Sequence, residues 1–507
     1  MIDIDKSTIT NTFEVEILTP THIGGAGENH WQNGIDFVAK DGKTWILDFN
    51  KLCKVIPVDK ITLAFTRADR NTTIESLIRN LSIGSVSNKT FNFPNPSGSE
   101  LKRHIFNGMN GKPYIPGSSI KGAIASILVN YFSKKAPFDK FKDPSSKILG
   151  STDNSIMRYF QFTDVPFETT VLKNTKIFNL QKKVGANWEG GWKQSRDSTT
   201  TVFNPIGFNT VYEILIPKEK SKMMLSFKKK AIEQLYSPQN KANEKNIPPS
   251  HTAGWITNNP MAELCSIINK HTLAFLDKEI KFYEKYKFDD NSESAYEELL
   301  NLKEKTKNLD SSTSCILRLA AGSGFHSITG DWQCDDYIQT GEHRDGRNAG
   351  KRKYKSRKLA FEKDVFQPMG FIKLALLSQE VIEAKKVEDE KNKIRKLAQM
   401  ENAKELAAQE AEEEAKAVVE RLERERIEKE EAKKPKMYDG NPTKGLEVDA
   451  EVIQSQRPNK VKIFVKGYEE KLFDMVGSSL QPKGFICRVS LIIEKGKIVR
   501  VSFKTPK

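Results

Sequence analysis

Three glycine-containing loops hold the residue types from which a binding or catalytic site could be built. The first is Thr19-Pro20-Thr21-His22-Ile23-Gly24-Gly25-Ala26-Gly27. The second is Pro113-Tyr114-Ile115-Pro116-Gly117-Ser118-Ser119-Ile120-Lys121-Gly122-Ala123. The third is Leu319-Ala320-Ala321-Gly322-Ser323-Gly324-Phe325-His326, followed later by Pro368-Met369-Gly370-Phe371. Glycine serves where a backbone must turn sharply or approach something closely. In the second loop, the N–H groups of Gly117, Ser118 and Ser119 open a helix, with Lys121 and Gly122 within its first turns. Such an arrangement holds anions, phosphates among them. It is not a Walker loop, because the G-x-x-x-x-G-K-[ST] spacing is absent. Each loop taken singly also reads as a tight turn.

Other side chains offer competing chemistry. The seven histidines (22, 30, 104, 251, 271, 326, 343) are scattered, and only His22 and His326 lie in glycine loops. His22 reads either as a general base for metal-free RNA cleavage or as a loop-packing or phosphate-contacting ring. His326, Asp331, Cys334, Asp335 and Asp336 are metal-ligating types, but their spacing matches no standard zinc pattern, so no metal or other cofactor is expected. Asp164, after Tyr159-Phe160-Gln161-Phe162, reads as a catalytic carboxylate or as a turn or helix cap.

Three basic segments read as surfaces for a polyanion. Arg344 to Lys358 holds eight Lys/Arg and one tyrosine, with only Asp345 opposing. It reads as a flexible arm for phosphates, with Arg344, Arg347, Lys351, Arg352 and Lys353 as contacts, or as a solvated loop. Gln181–Thr201 sets Trp188 and Trp192 among Lys182, Lys183, Lys193 and Arg196 in an expected glycine-rich loop. Aromatics beside cations stack on unpaired bases, although tryptophan also serves cores and subunit interfaces. Lys102 and Arg103, with His104, lie upstream of the second glycine loop in an expected hairpin that would wedge into a duplex.

Strands and helices must position these groups. Thr12–Leu18 alternates as an opening strand, and Thr44–Asp48, Met157–Phe162, Thr210–Ile216 and Gly370–Leu377 also read as strands. Ser119–Phe132, Ser226–Tyr236 and Met261–Tyr286 carry helical spacing. Strands interleaved with single helices predict an α+β class with two ferredoxin-like sandwiches in tandem, over residues 1–205 and 206–379. Residues 380–436 hold 17 acidic and 15 basic side chains and no glycine, which predicts a long charged helix of about 85 Å acting as a spacer. Residues 437–507 read as short strands with turns at Arg457-Pro458-Asn459 and Glu494-Lys495-Gly496, predicting a small barrel of the OB type.

Composition bounds the rest. The chain has 507 residues, with 81 Lys+Arg against 66 Asp+Glu for a net charge of +15. About +12 belongs to residues 1–379 and +5 to the tail, while the segment between them carries −2. With 28 Phe and 12 Tyr, a wholly disordered chain is excluded. No apolar run approaches the roughly 20 residues of a membrane span. The start, Met1-Ile2-Asp3-Ile4-Asp5, lacks the features of a signal peptide. The expectation is a soluble, cytoplasmic protein. Five scattered cysteines without a C-x-x-C pair read as reduced, mostly buried thiols.

Taken together and in order, the I-P-G-S-S-I-K-G-A run, the opening strand with T-P-T-H-I-G-G and the late G-S-G-F resemble the RAMP superfamily of CRISPR proteins. Within it the chain is most similar to the subunit-five family of the type III-A Csm effector complex. Ile35 to Leu52 and Pro368 to Leu374 strengthen that match, which covers about residues 10–379. The resemblance implies an RRM-like RAMP fold and a non-catalytic subunit that binds CRISPR RNA. It implies a place capping the backbone near the guide 3′ end, supporting guide maturation and antiviral RNA/DNA interference. Implied partners are CRISPR RNA and its target RNA, the repeated RAMP backbone subunit, the small subunit and host nucleases. Gly117, Ser118, Ser119, Lys121 and Gly122 would contact guide backbone; His22, Gly24 and Gly25 would shape the neighbouring loop. Gly322, Ser323 and Gly324 would form the matching loop of the second half. Ala125 stands where the family often has an Arg, and residues 380–507 lie outside the family core. The alternative is a CRISPR-associated endoribonuclease that processes or cleaves RNA.

Overall fold

The opening strand, Ile9–Ile17, buries alternate residues Phe13, Val15 and Ile17, as a period-2 pattern over one sheet face requires. It sits in the middle of a five-stranded antiparallel sheet, between Lys220–Phe227 and Phe371–Leu376. Phe160–Phe162 and Ser314–Arg318 form the edges. The structure, a computed structural model, describes residues 8–507 except 26–29, 67–72, 95, 97–99, 134–144, 152, 183–186, 238–258, 320, 323–336, 341–349, 385–386, 389, 393, 396, 404, 406–422 and 425–433. The strands Tyr337–Thr340 and Gly350–Lys353 are described by their backbones alone.

Two helices cover one face of this sheet. In Gly117–Ser133, Ile120, Ile124, Ile127 and Leu128 recur at three- and four-residue intervals and are buried. In Pro260–Tyr286, capped by the Asn259 side chain, Leu264, Ile267 and Ile268 join them in the same core. The far half of that helix, with Asp290–Lys307, packs Phe275, Tyr283 and Leu299 into a second core under an eight-stranded sheet. That sheet runs Thr199–Thr200, Trp188–Lys193, Val171–Lys182, Thr210–Ile214, Glu100–Lys102, His30–Gln32, with Ser356–Glu362 and Val365–Pro368 joined to Val171–Lys182.

Mixed α+β structure agrees with the expectation, but two sandwiches in tandem do not describe it. Strands from residues 1–205 and 206–379 interleave in both sheets, so neither half closes a sheet alone. Residues 37–91 add a small three-stranded sheet with three short helices around Leu52, Ile61 and Val86.

The chain divides into two compact units, Met1–Glu383 and Ala384–Lys507. Every described residue from 379 to 405 is helical. The second unit contains a closed five-stranded barrel of Glu447–Gln454, Asn459–Ile463, Leu472–Val476, Ile486–Glu494 and Lys497–Pro506. Val461, Ile463 and Val465 fill its interior. Cys265, Cys315 and Cys487 are buried free thiols, while Cys53 is exposed.

Candidate nucleic-acid interface

The glycine loops, remote in sequence, meet around two histidines. The Ile23 N–H donates to His104 Nδ1 at 3.2 Å, and His104 Nε2 donates to the Tyr114 carbonyl at 3.1 Å. One ring thereby ties the first loop to the second. The Ala321 N–H donates to the His22 carbonyl at 3.1 Å, and the Gly370 N–H to the Pro20 carbonyl at 3.0 Å, tying the first loop to the third. Gly370 has φ +89, and a Cβ there would lie 2.0 Å from the Leu319 carbonyl oxygen, so only glycine fits. Gly322 has φ +83, and its carbonyl accepts from the Arg318 guanidinium at 2.8 Å. Gly24 and Gly25 are exposed beside His22.

His22 itself is 3% exposed, and its Nδ1 donates to the Glu213 carbonyl at 2.7 Å. Burial pulls its pKa down to about 4 and that of His104 to about 3. A buried ring held neutral and bonded to backbone packs the loop.

The helix N-terminus in the second loop holds an anion from the chain itself. Asp164 Oδ1 accepts from the Gly117 N–H at 2.8 Å, so this carboxylate caps the helix and meets the positive end of its dipole. A Cβ on Gly117 would lie 2.2 Å from the Phe162 carbonyl oxygen, so the glycine lets helix and edge strand touch. Lys121 donates to the Phe160 carbonyl at 3.0 Å, and burial lowers its pKa. The phosphate cradle expected of Gly117 and Lys121 is therefore corrected: both join the helix to the Phe160–Phe162 strand. Ser118 and Gly122 stay exposed and Ser119 is half-buried.

A different cluster presents cations and aromatics to solvent. Glu213 is wholly buried, and its Oε1 accepts from Lys89 Nζ and Thr170 Oγ1 at 2.6 Å each, while Oε2 accepts from the His104 N–H at 2.9 Å. This carboxylate fixes Lys89 beneath the rings of Phe91 and Phe106, 4.7 and 4.6 Å from their centroids. Above them the exposed Arg103 guanidinium lies 5.4 Å from the Trp31 ring centroid and 5.9 Å from that of Phe106. Trp31, Gln32, Asn88, Lys89, Arg103 and Phe106 line a cleft of about 770 Å³. A guanidinium laid on aromatic faces keeps its N–H edge free for phosphate, and the rings beside it can stack on a base.

The remaining predicted residues divide clearly. Lys102 is half-buried and pairs with Glu100 at 3.0 Å, in a strand between His30–Gln32 and Thr210–Ile214 rather than in an exposed hairpin. Trp192 is fully buried, its indole N–H donating to Asp289 Oδ2 at 2.7 Å, so it serves the core and not a base. Its segment is a β-hairpin partner of Val171–Lys182 instead of a loop, and Gly190 lies against the Tyr286 carbonyl. Trp188 is half-buried, with Lys355 Nζ 4.7 Å from its ring.

The expected basic arm is partly structural. Arg357 binds Glu279 in a buried bidentate pair at 2.9 and 3.0 Å, and Lys358 bonds the Tyr212 hydroxyl. Lys351, Arg352 and Lys353 fall in the strand Gly350–Lys353, which pairs with Tyr337–Thr340. Ser323, Gly324, Arg344 and Arg347 lie outside the described residues, as does the His326 to Asp336 set. Among the described residues, no group of three His, Cys, Asp or Glu could hold a metal ion. No helix among them is long and apolar enough to cross a membrane.

Of the residues in this cleft, the sequence singled out Arg103 but not Trp31, Lys89 or Phe106. The signal available was weak: Trp31 pairs with Leu101 across strands separated by about seventy residues. Only the register reveals that the indole reaches Arg103.

Comparison with known proteins extends this geometry. The sequence matches the RAMP superfamily over residues 14–328. A curated relative, the CRISPR system Cms protein Csm5 of Methanocaldococcus jannaschii (strain ATCC 43067 / DSM 2661 / JAL-1 / JCM 10045 / NBRC 100440), is 31% identical over 140 residues. That match spans 25% of this chain and 33% of the relative's length. Among solved structures, a chain of a Csm–crRNA–target RNA ternary complex from a type III-A CRISPR-Cas system superposes with a TM-score of 0.51 at 16% identity. It covers 73% of this chain and 100% of its own. The crystal structure of T. onnurineus Csm5 gives a TM-score of 0.46 at 15% identity, covering 71% of this chain and 99% of its own. A sequence match over residues 14–328, spanning most of the first unit and its three converging loops, means that the chain belongs to the RAMP superfamily of CRISPR proteins.

Proposed function

We propose that this chain is a CRISPR-RNA-binding subunit of a type III-A effector complex, capping the complex's backbone near the guide 3′ end. In this reading it works in the cytoplasm and supports guide maturation and antiviral interference. Its partners are guide and target RNA, the repeated RAMP backbone subunit, the small subunit and host nucleases that trim the guide. The observation that carries the reading is the exposed Arg103, 5.4 Å from the Trp31 ring and 5.9 Å from that of Phe106, in a cleft that Lys89 also lines. Cation and ring side by side suit phosphate and unpaired base together. The superfamily membership supports RNA as the polyanion.

We propose further that the chain has no active site of its own. Support comes from the groups a nuclease reading would need. His22 and His104 are buried and bonded to backbone, and Asp164 is engaged by the Gly117 N–H. The experiment is equilibrium binding of the full chain to single-stranded guide-like RNA across a salt series. Arg103→Ala and Trp31→Ala should each weaken binding by about 10-fold, and Arg103→Ala should lower the log–log salt slope by about 0.7. Wild-type affinity in both variants overturns the reading. Incubation with repeat RNA, with and without EDTA, should leave the RNA intact; specific cleavage would restore the enzyme alternative.

A further inference from the structure

The barrel of the second unit carries a pattern on its outside that its core does not require. Its five strands close in the order first, second, third, fifth, fourth, with the third and fifth parallel. That is the order of oligonucleotide-binding barrels, which use the face of their second and third strands. Here the second strand is Asn459–Ile463, extended through Phe464 and Val465. Val461, Ile463 and Val465 point inward and are fully buried. The alternate positions, Lys460, Lys462, Phe464 and Lys466, face outward by the period of the strand.

Interior positions of a small barrel must be apolar, but exterior ones are free to vary. Lys462, Phe464 and Lys466 take three successive exterior positions, beside Lys460, which is paired across strands with Asp474. Tyr468 follows, with Lys471 Nζ 5.1 Å from its ring centroid. Carboxylates share this face: Glu451 stands directly across from Lys462 on the neighbouring strand, and Glu469 interacts with Lys462 and Lys466. Asp439 pairs with Lys466 at 2.7 Å, yet both side chains are about 70% exposed, so a phosphate can displace it. Asp474 holds Lys460 at 2.6 Å on the neighbouring strand.

We propose that this face binds single-stranded RNA, with phosphates at Lys462 and Lys466 and a base stacked on Phe464. Single-stranded form follows from the ring, since a base within a duplex offers no free face to it. The choice of RNA over DNA rests on the reading of the first unit as an RNA-binding body. Joined to that unit by the charged segment, the barrel would act on the same RNA at high effective concentration, without needing strong affinity alone.

The test uses the full chain with a 4-thiouridine-substituted oligouridylate, and with single-stranded DNA and duplex RNA of equal length. Photo-crosslinking should label the peptide spanning Lys462–Lys466. Phe464→Ala should weaken RNA binding about 10-fold, and Phe464→Trp should retain it. The Lys462→Glu/Lys466→Glu pair should make the log–log salt slope shallower by about 1.4. Thermal melts confirm that each variant stays folded. Unchanged affinity and slope with no crosslink on this face overturns the proposal, and so does equal or better binding of DNA or duplex by it. Arg103→Ala separates the two claims: if only that variant binds normally, the first unit's role fails and the barrel's stands.

Discussion

The imidazoles of His22 and His104 meet edge to face with ring centroids 5.8 Å apart, and each ring is committed to backbone from another segment. Both stay neutral in the folded chain to about pH 4 and about pH 3, because burial penalises the imidazolium. The unfolded chain protonates them near pH 6.5. Below that pH the unfolded state therefore binds more protons, and stability falls as pH falls. The loss approaches about 1.4 kcal/mol per pH unit for each ring, continuing toward the folded pKa values. Urea unfolding at intervals from pH 7.5 to 4.5 should show this slope, and His104→Gln should remove about half of it. Stability that is flat from pH 6.5 to 4.5 in the wild-type chain would contradict the assignment.

Arg357 and Glu279 form a bidentate pair inside the second core, with the guanidinium carbon 3.4 Å from the Phe282 ring centroid. Removing the guanidinium takes from Glu279 its bidentate partner inside the core. Arg357→Ala should lower stability by about 3–5 kcal/mol, and Arg357→Lys should recover only part of it, because lysine lacks the planar fork. Chemical denaturation at pH 7 reads both. A loss under 1 kcal/mol for Arg357→Ala would mean that the pair is solvated.

These two contacts show what the sequence could and could not carry. The opening strand and the helices at Gly117–Ser133 and Pro260–Tyr286 were legible, because their apolar periodicity is local. So was the barrel, whose Val- and Ile-rich strands are separated by turn residues. The sharing of strands between residues 1–205 and 206–379 was not, since only non-local pairing such as Ile9 with Phe227 expresses it. Charge misled in the same way. Lys121 and Arg357 count fully toward the basic balance, yet each is engaged by a carboxylate or a carbonyl of the fold. A one-dimensional count cannot separate cations that neutralise the interior from those that face a ligand. Arg103 was visible as a basic residue, but its aromatic bed of Trp31 and Phe106 arises from register alone.

Asp164 and Gly117 make a cap that spans 47 residues of chain. Asp164→Ala should destabilise by about 1 kcal/mol through loss of the cap. Asp164→Asn, which keeps an accepting oxygen, should lose less. Gly117→Ala should be worse than either, because its Cβ would meet backbone at 2.2 Å that cannot yield without moving the edge strand. Thermal melts rank the three. If Gly117→Ala matches wild type, the close contact of helix and strand is not required.

Trp192 decides whether a tryptophan amid lysines signals RNA or core. Its ring is fully buried, 5.4 Å from Phe178 and 5.1 Å from Phe366 by centroids, and its N–H is bonded to the same Asp289 that caps the Asp290–Lys307 helix. Trp192→Phe keeps an aromatic ring but removes the N–H donor and leaves Asp289 Oδ2 without it. Stability should drop by about 1–3 kcal/mol, the range for an abandoned partner of a buried hydrogen bond to a charged group. Affinity for single-stranded RNA should be unchanged at a temperature where the variant is folded. Loss of RNA binding with native stability would return Trp192 to the interface and require the hairpin Trp188–Lys193 to open, because nothing outside the protein reaches the indole while that strand stays paired with Val171–Lys182.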